Sequence, residues 1–226
     1  MRRFFAGARS VPITSWRAPS QWRCSPRTYL ILFIGLYLYG TGDAIIINAT
    51  LGAGPWVVFA LGVTHVTGLS VAYTTFILSL FAVICWIPLR QRPGLGTLSN
   101  AVVISIAIGV GTALIPEPSN LYVRILMVVL GIIAIAVASA LYLTCGLGAG
   151  PRDGLMTGLN IRFGVPVGRA RLVVEVTVVI LGWILSGMPR DGSLGLGKSV
   201  GLGTALFALL IGRCVAITLG FVGRRS

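Results

Sequence analysis

Leu51–Gly52–Ala53–Gly54–Pro55 returns 96 residues later as Leu147–Gly148–Ala149–Gly150–Pro151, in a chain of 226 residues. A recurrence of this kind means that one structural unit is used twice, and any fold must accommodate both copies. The surroundings repeat too. An apolar segment leads in, over residues 31–48 and again over 125–144. A short run follows each proline and ends at Gly68 or Gly164. Then come a long apolar run, a polar break, and a Gly-Leu-Gly-Thr that opens a further apolar run, at Gly94–Thr97 and at Gly201–Thr204. These last markers lie 107 residues apart, so the second half carries eleven extra residues just before its copy.

The solvent for this unit is lipid. Hydrophobic residues make up 56% of the chain and charged residues only 10%, against roughly 25% charged in a soluble domain. Mean hydropathy is +0.94. Six apolar runs are long enough, at roughly 20 residues each, to cross a ~30 Å hydrocarbon layer. They lie near 28–49, 70–89, 96–115, 122–144, 168–187 and 201–222. The run after each Leu-Gly-Ala-Gly-Pro is only about a dozen residues, too short to span and suited to a re-entrant, interfacial or buried half-helix. The expectation is an all-α polytopic membrane protein of about six spans. Repeat 1 covers about 28–115 and repeat 2 about 122–222, each with three crossings and one half-helix. An odd number of crossings inverts the second repeat relative to the first.

Charge orients the chain. There are 18 Lys and Arg against 5 Asp and Glu, a net charge of +13. On a soluble protein that balance would point to nucleic acid. Here the cations lie mainly between apolar runs, where they set orientation instead, so no nucleic-acid partner is expected. With the N-terminus inside, the segments predicted cytoplasmic hold fourteen Arg and those predicted external hold Arg124, Arg190 and Lys198. Arg213 falls within the last span. Both termini are therefore expected in the cytoplasm of a multi-pass cell-membrane protein. Residues 1–27 read as a basic, disordered cytoplasmic tail and 223–226 as a short cytoplasmic end. A signal peptide would need its apolar region near the start, whereas the first such region begins at Tyr29 and runs on.

The repeated turn has a backbone rationale. Glycines permit positive φ and close backbone approach, and proline suits the first helical position, where its missing N–H costs nothing. The motif therefore delivers the chain into a helix whose free N–H groups face back toward the turn, a favourable place for negative charge. Asp153 occupies the third helical position of the second copy, and Val57 the same position of the first. Two such helix starts approaching one another make a central site for substrate or ion, and the competing reading is a pair of well-capped turns. The candidate site is Asp43, Gly54, Pro55, Gly150, Pro151, Arg152 and Asp153. Asp43 either takes a proton or cation or is capped by Thr41 and Asn48.

Glu175 and Arg213 lie in the fifth and sixth spans, where charge is expensive and is expected to face protein or water. Their similar depth predicts an ion pair between spans five and six. Arg171, four residues before Glu175 on the same helix face, is the competing partner. The sole histidine, His65, ends the first half-helix and reads as a polar interfacial group. Trp22, Trp56, Trp86 and Trp183 read as interfacial anchors.

Leu147–Gly154 forms a Leu-Gly-x-Gly-Pro-x-Asp-Gly turn, and Val167–Gly168–Arg169 and the Gly-Leu-Gly-Thr of the last span follow it. With these features the chain resembles the YitT/YczE family of bacterial integral membrane proteins, over roughly residues 28–222. The first half departs from the pattern, with Trp56–Val57 where an aspartate would stand one residue on. The resemblance implies the membrane class and leaves the chemistry open, since the family has no firmly established activity.

Enzyme classes find no purchase. No Ser/His/Asp set is read around the sole histidine, and the four cysteines, Cys24, Cys85, Cys145 and Cys214, show neither metal spacing nor a disulfide framework. No catalytic, metal or cofactor site is expected. Residues 192–199 match G-x-x-x-x-G-K-[ST] formally. A P-loop requires a preceding buried strand in a soluble domain, and this stretch lies between two apolar spans. The lipid bilayer is the expected partner. Two readings stand: a small secondary transporter or permease of unknown substrate, and a non-transporting membrane protein that binds or regulates a partner. Glycines spaced for close helix approach, such as Gly109 and Gly111, serve internal packing as readily as a homodimer.

Overall fold

A computed structural model describes residues 11–187 and 199–225, and all regular structure in them but an isolated bridge at 200 is helical. The elements are α1 (Pro26–Ala49), α2 (Pro55–Thr67), α3 (Val71–Ile84), α4 (Trp86–Leu89), α5 (Leu95–Leu114), α6 (Leu121–Thr144), α7 (Pro151–Phe163), α8 (Val167–Leu185) and α9 (Leu202–Arg225). Local chemistry sets their starts. Ser25, Ser70 and Asn120 each accept a backbone N–H from the first turn of α1, α3 and α6, satisfying donors that a helix leaves unpaired.

Five units are long and apolar enough to cross a bilayer: α1, α3 continued by α4, α5, α6 and α9. The sixth expected span is a helix of 19 residues, α8. It carries Arg169, Arg171 and Glu175 in its first half, which is why it lacks the apolar composition of the others. The two post-proline segments are helices of 13 residues each, roughly 20 Å long at 1.5 Å per residue, short of the hydrocarbon thickness.

The two turns share one backbone conformation. Thr50 and its counterpart Gly146 are left-handed, at φ 52° and 68°, and Gly52 and Gly148 follow at 98° and 111°. Only glycine enters that last region without strain, so the repeated glycine is a backbone requirement. Thr50 holds its conformation in the clasp of Arg124, whose Nε donates to the Ala49 carbonyl at 2.7 Å and whose Nη2 donates to the carbonyl and hydroxyl of Thr50. Arg124, expected as an external loop charge, thus also closes the carbonyl end of α1.

Each turn docks on the opposite half. The Gly96 N–H donates to the Leu147 carbonyl at 2.8 Å, and the Gly203 N–H to the Leu51 carbonyl at 2.6 Å. These are the same bond written twice, under the 96- and 107-residue offsets of the sequence. The helix crossing at the centre behaves likewise. Gly35 lies against Ala138 and Tyr142, and Gly131 against Gly42 and Ile46, with each residue 96 positions from its counterpart. The half-helices are exchanged as well: α2 packs on α8, where Gly182 meets the Val58 backbone, and α7 packs on α3–α4, where Gly154 meets Trp86. Gly109 and Gly111 meet Ala72 and Ala44 within the chain.

The core follows this exchange. One buried cluster joins Ile46, Val57, Val58, Ile132, Ile135 and Phe207, and a second joins Leu32, Leu36, Ile104, Ile108, Tyr142 and Leu147. The expected disordered tail needs correction from residue 11 onward. Thr14 and Trp16 donate to the carbonyl and hydroxyl of Thr144, and the Ala18 N–H donates to the Cys145 carbonyl. The Gln21 carbonyl accepts from Leu95. Residues 11–25 are held because α5 starts and α6 ends there, with backbone groups that they complete.

Candidate functional site

Between the two half-helices lies a cavity of about 280 Å³. Its lining includes the pairs Pro55/Pro151, Trp56/Arg152, Asn100/Phe207 and Ile104/Ile211, each related by the offsets of the sequence repeat. Both helix starts therefore open on one space. The N-cap residues are glycines, Gly54 and Gly150, and bring no side chain to cap the first turn. A Cβ at Gly54 would crowd the Phe207 ring that lines the cavity, so glycine there keeps backbone and cavity wall close.

The pairs are equal in position and opposite in chemistry. Trp56 and Val57 of the first half correspond to Arg152 and Asp153 of the second, and Phe207 of the second half to Asn100 of the first. The cavity consequently has a polar side and an apolar side. The Arg152 guanidinium carbon lies 5.7 Å from the centre of the Tyr39 ring and 5.9 Å from that of Trp56, within range of cation–π attraction. Its Nη2 is 4.0 Å from Asp43 Oδ2, too far for a hydrogen bond. Asp43 is 2% exposed, and its Oδ2 has no hydrogen-bond partner. Asp153 accepts the Tyr142 hydroxyl at 2.7 Å, and its carboxylate sits in the first turn of α7, offsetting that helix's positive end. In α2 the first turn contains no acid. The start of α7 is held from the other half, where Trp86 Nε1 donates to the Pro151 carbonyl at 2.9 Å.

The structure brings Asp43, Gly54, Pro55, Gly150, Pro151, Arg152 and Asp153 into one neighbourhood, and it alters some of their partners. Asp43 is not capped by its neighbours. Thr41 donates to the Tyr37 carbonyl, and Asn48 donates to the carbonyls of Thr112 and Ile115. Glu175 pairs with Arg171, Nε to Oε1 at 2.9 Å, rather than with Arg213. The i,i+4 geometry places the Arg171 pair together without any bending of the chain. Arg213 is on an exposed part of α9. Both Arg171 and Glu175 line the cavity. Trp86, expected at the interface, is 2% exposed, because its indole fills the space beside Gly154.

Tyr39, Tyr142 and Asn100 were not singled out in the sequence. Tyr39 stands four residues before Asp43, one helical turn along the same face, a signal that marks the pair as neighbours. Tyr142 meets Asp153 across the second turn, which spacing alone does not reveal. A further cavity of about 470 Å³ at the far end of α1 is lined by His65 and Glu117 among others. His65 itself is exposed. Most of the residues of the formal P-loop match, 192–198, lie outside the described residues.

A family model described as a family of unknown function, DUF6198, matches residues 26–219. The chain belongs to this family. An uncharacterized protein of Haemophilus influenzae is 38% identical over 216 residues, covering 96% of this chain and 94% of that one. The uncharacterized membrane protein YczE of Bacillus subtilis is 30% identical over 189 residues, 83% of each chain. The expected resemblance to YczE proteins is therefore met across nearly the whole membrane domain, half-helices included. No solved structure matches the chain.

Proposed function

We propose that this family member is a small secondary transporter of permease type, with six spans in two inverted halves and the central cavity as its solute site. The observation that carries the reading is the cavity's position. Sequence-equivalent residues of the two halves, Pro55 and Pro151 foremost, line the same space. A site at the interface of inverted repeats, built from helix ends, is the arrangement by which many secondary transporters hold solute while one half moves against the other. α8 serves as the sixth span. Leu172, Val173, Val176, Ile180, Leu181 and Ile184 are exposed on it, an apolar surface that lipid would cover. Arg171 and Glu175 turn to the cavity, where charge is tolerated. With Arg152 and Arg171 counted as cavity residues, twelve cytoplasmic arginines still stand against three external cations, which supports cytoplasmic termini in the cell membrane.

Purified full-length protein in liposomes tests the reading. Uptake of labelled small metabolites and ions should be faster than in empty liposomes for at least one solute, and Arg152→Gln should abolish the difference. Specific binding without flux would assign the protein to the non-transporting, partner- or ligand-sensing alternative. No binding and no flux would overturn the solute-site reading altogether.

A further inference from the structure

We infer that the solute is a small zwitterion of amino-acid type, carrying a carboxylate, a primary ammonium and an apolar side chain. This deepens the solute-site reading above and rests on it. Arg152, Asp153, Arg171 and Glu175 line the cavity and Asp43 lies beside Arg152, 4.0 Å from its Nη2; at ordinary ionisation these five groups carry a net of one negative charge. Two helix N-termini add roughly half a positive charge each. The cavity is thus close to neutral and holds both signs, which favours a ligand of the same kind over a net anion or a net cation.

Asp153 already offsets the positive end of α7, whereas the first turn of α2 has no acid and its N-cap glycine offers no side chain. Arg152 lies against Trp56, the second residue of that same α2 turn. A ligand carboxylate set between Arg152 and the start of α2 meets a guanidinium and unpaired backbone donors together, the combination that binds carboxylates best. The present partner of Arg152 is Asp43, at 4.0 Å and without a hydrogen bond, so the guanidinium retains donors for a second carboxylate. Glu175 and Asp153 supply acceptors for an ammonium. The lining also has an apolar part. Phe207, Ile211 and Val215 line the cavity and give an aliphatic side chain somewhere dry. At about 280 Å³ the space lies just under the range typical of drug-sized ligands, so it suits a solute of few heavy atoms.

The experiment is binding to purified full-length protein in nanodiscs, measured by calorimetry with three probes of one carbon skeleton: L-leucine, 4-methylpentanoate, which lacks the ammonium, and 3-methylbutylamine, which lacks the carboxylate. L-leucine should bind about tenfold or more tightly than either truncated probe, as expected for losing one charged hydrogen-bonding group. Glu175→Gln should bring leucine down toward 4-methylpentanoate and leave the latter unchanged. Arg152→Gln should bring it down toward the amine. Equal affinity for leucine and 4-methylpentanoate would overturn the zwitterion in favour of a plain carboxylate. If none of the three binds while another solute binds in an Arg152-dependent way, the inference falls and the solute-site reading survives. If no solute binds and Arg152→Gln changes nothing, both fall.

Discussion

At Gly182 the main chains of α8 and α2 are so close that an added Cβ would meet the Val58 carbonyl and the Phe59 nitrogen. Backbone cannot step aside as a flexible side chain can, so Gly182→Ala is expected to destabilise the fold by about 1–3 kcal/mol, the usual cost of overpacking. Gly212 is the matched control. It lies within α9 with nothing near its missing Cβ, and Gly212→Ala should be neutral or mildly stabilising through helix propensity alone. Thermal unfolding of the detergent-solubilised variants distinguishes the two, at roughly 2–4 °C per kcal/mol for a chain of this size. Trp86→Phe belongs to the same scale. It keeps one aromatic ring but gives up part of the indole's bulk beside Gly154 and leaves the Pro151 carbonyl without its Nε1 donor, which together should lower stability by at least about 1–3 kcal/mol. The sequence marked Trp86 as an interfacial anchor, since a tryptophan near the end of an apolar run has that role in general. Its contact lies 65 residues away, and no spacing along the chain points to it.

Elements were more legible than their partners. The helix starts agree closely with expectation because Ser25, Ser70, Asn120 and the two Gly-Pro steps carry the cap chemistry in the residues themselves. The Glu175–Arg213 pairing failed for a related reason. Depth in the bilayer can be counted along a helix, whereas its rotation about its own axis is set by packing, and α9 turns Arg213 outward. The N-terminal segment was misjudged because its arginines look solvated, while the residues that hold it, Thr14, Trp16 and Ala18, bond backbone and hydroxyl groups at the end of α6. A prediction follows for Cys145, which is fully buried beneath that segment. In a background with Cys24, Cys85 and Cys214 all replaced by Ser, Trp16→Ala should raise the rate of maleimide labelling at Cys145 several-fold. Unchanged labelling would mean that the segment does not cover the thiol. Thr97 tests the docking of the second turn. Its hydroxyl donates to the Ala149 carbonyl at 2.7 Å and accepts from the Gly94 N–H. Thr97→Val, close in shape, strands both groups and should cost about 1–3 kcal/mol for each group left unpaired.

For the whole molecule the decisive quantity is the number of crossings between the two copies of the turn. If α2 and α7 both crossed, each half would hold an even number of spans, and the halves would lie parallel in the membrane. Their length opposes this, since 13 residues reach roughly 20 Å of a ~30 Å layer. Charge opposes it too. An added crossing by α2 would carry Arg90 and Arg92 to the external side, against the bias of the other arginines. The reciprocal bonds, Gly96 to Leu147 and Gly203 to Leu51, relate the two halves by exchange, as a two-fold axis does. The direction of α7 ties two segments together: Gly158, past its middle, lies against Leu89 and Gln91, so the end of α7 and the loop holding Arg92 share a side. Reporter fusions at Arg92 and Arg162 should therefore both read as cytoplasmic, and a fusion at Pro118, between α5 and α6, as external. Moving two arginines from the 90–92 loop to the 115–120 loop should weaken that preference and yield mixed orientation. Opposite readings at Arg92 and Arg162 would rule out the inverted arrangement on which the transporter reading rests.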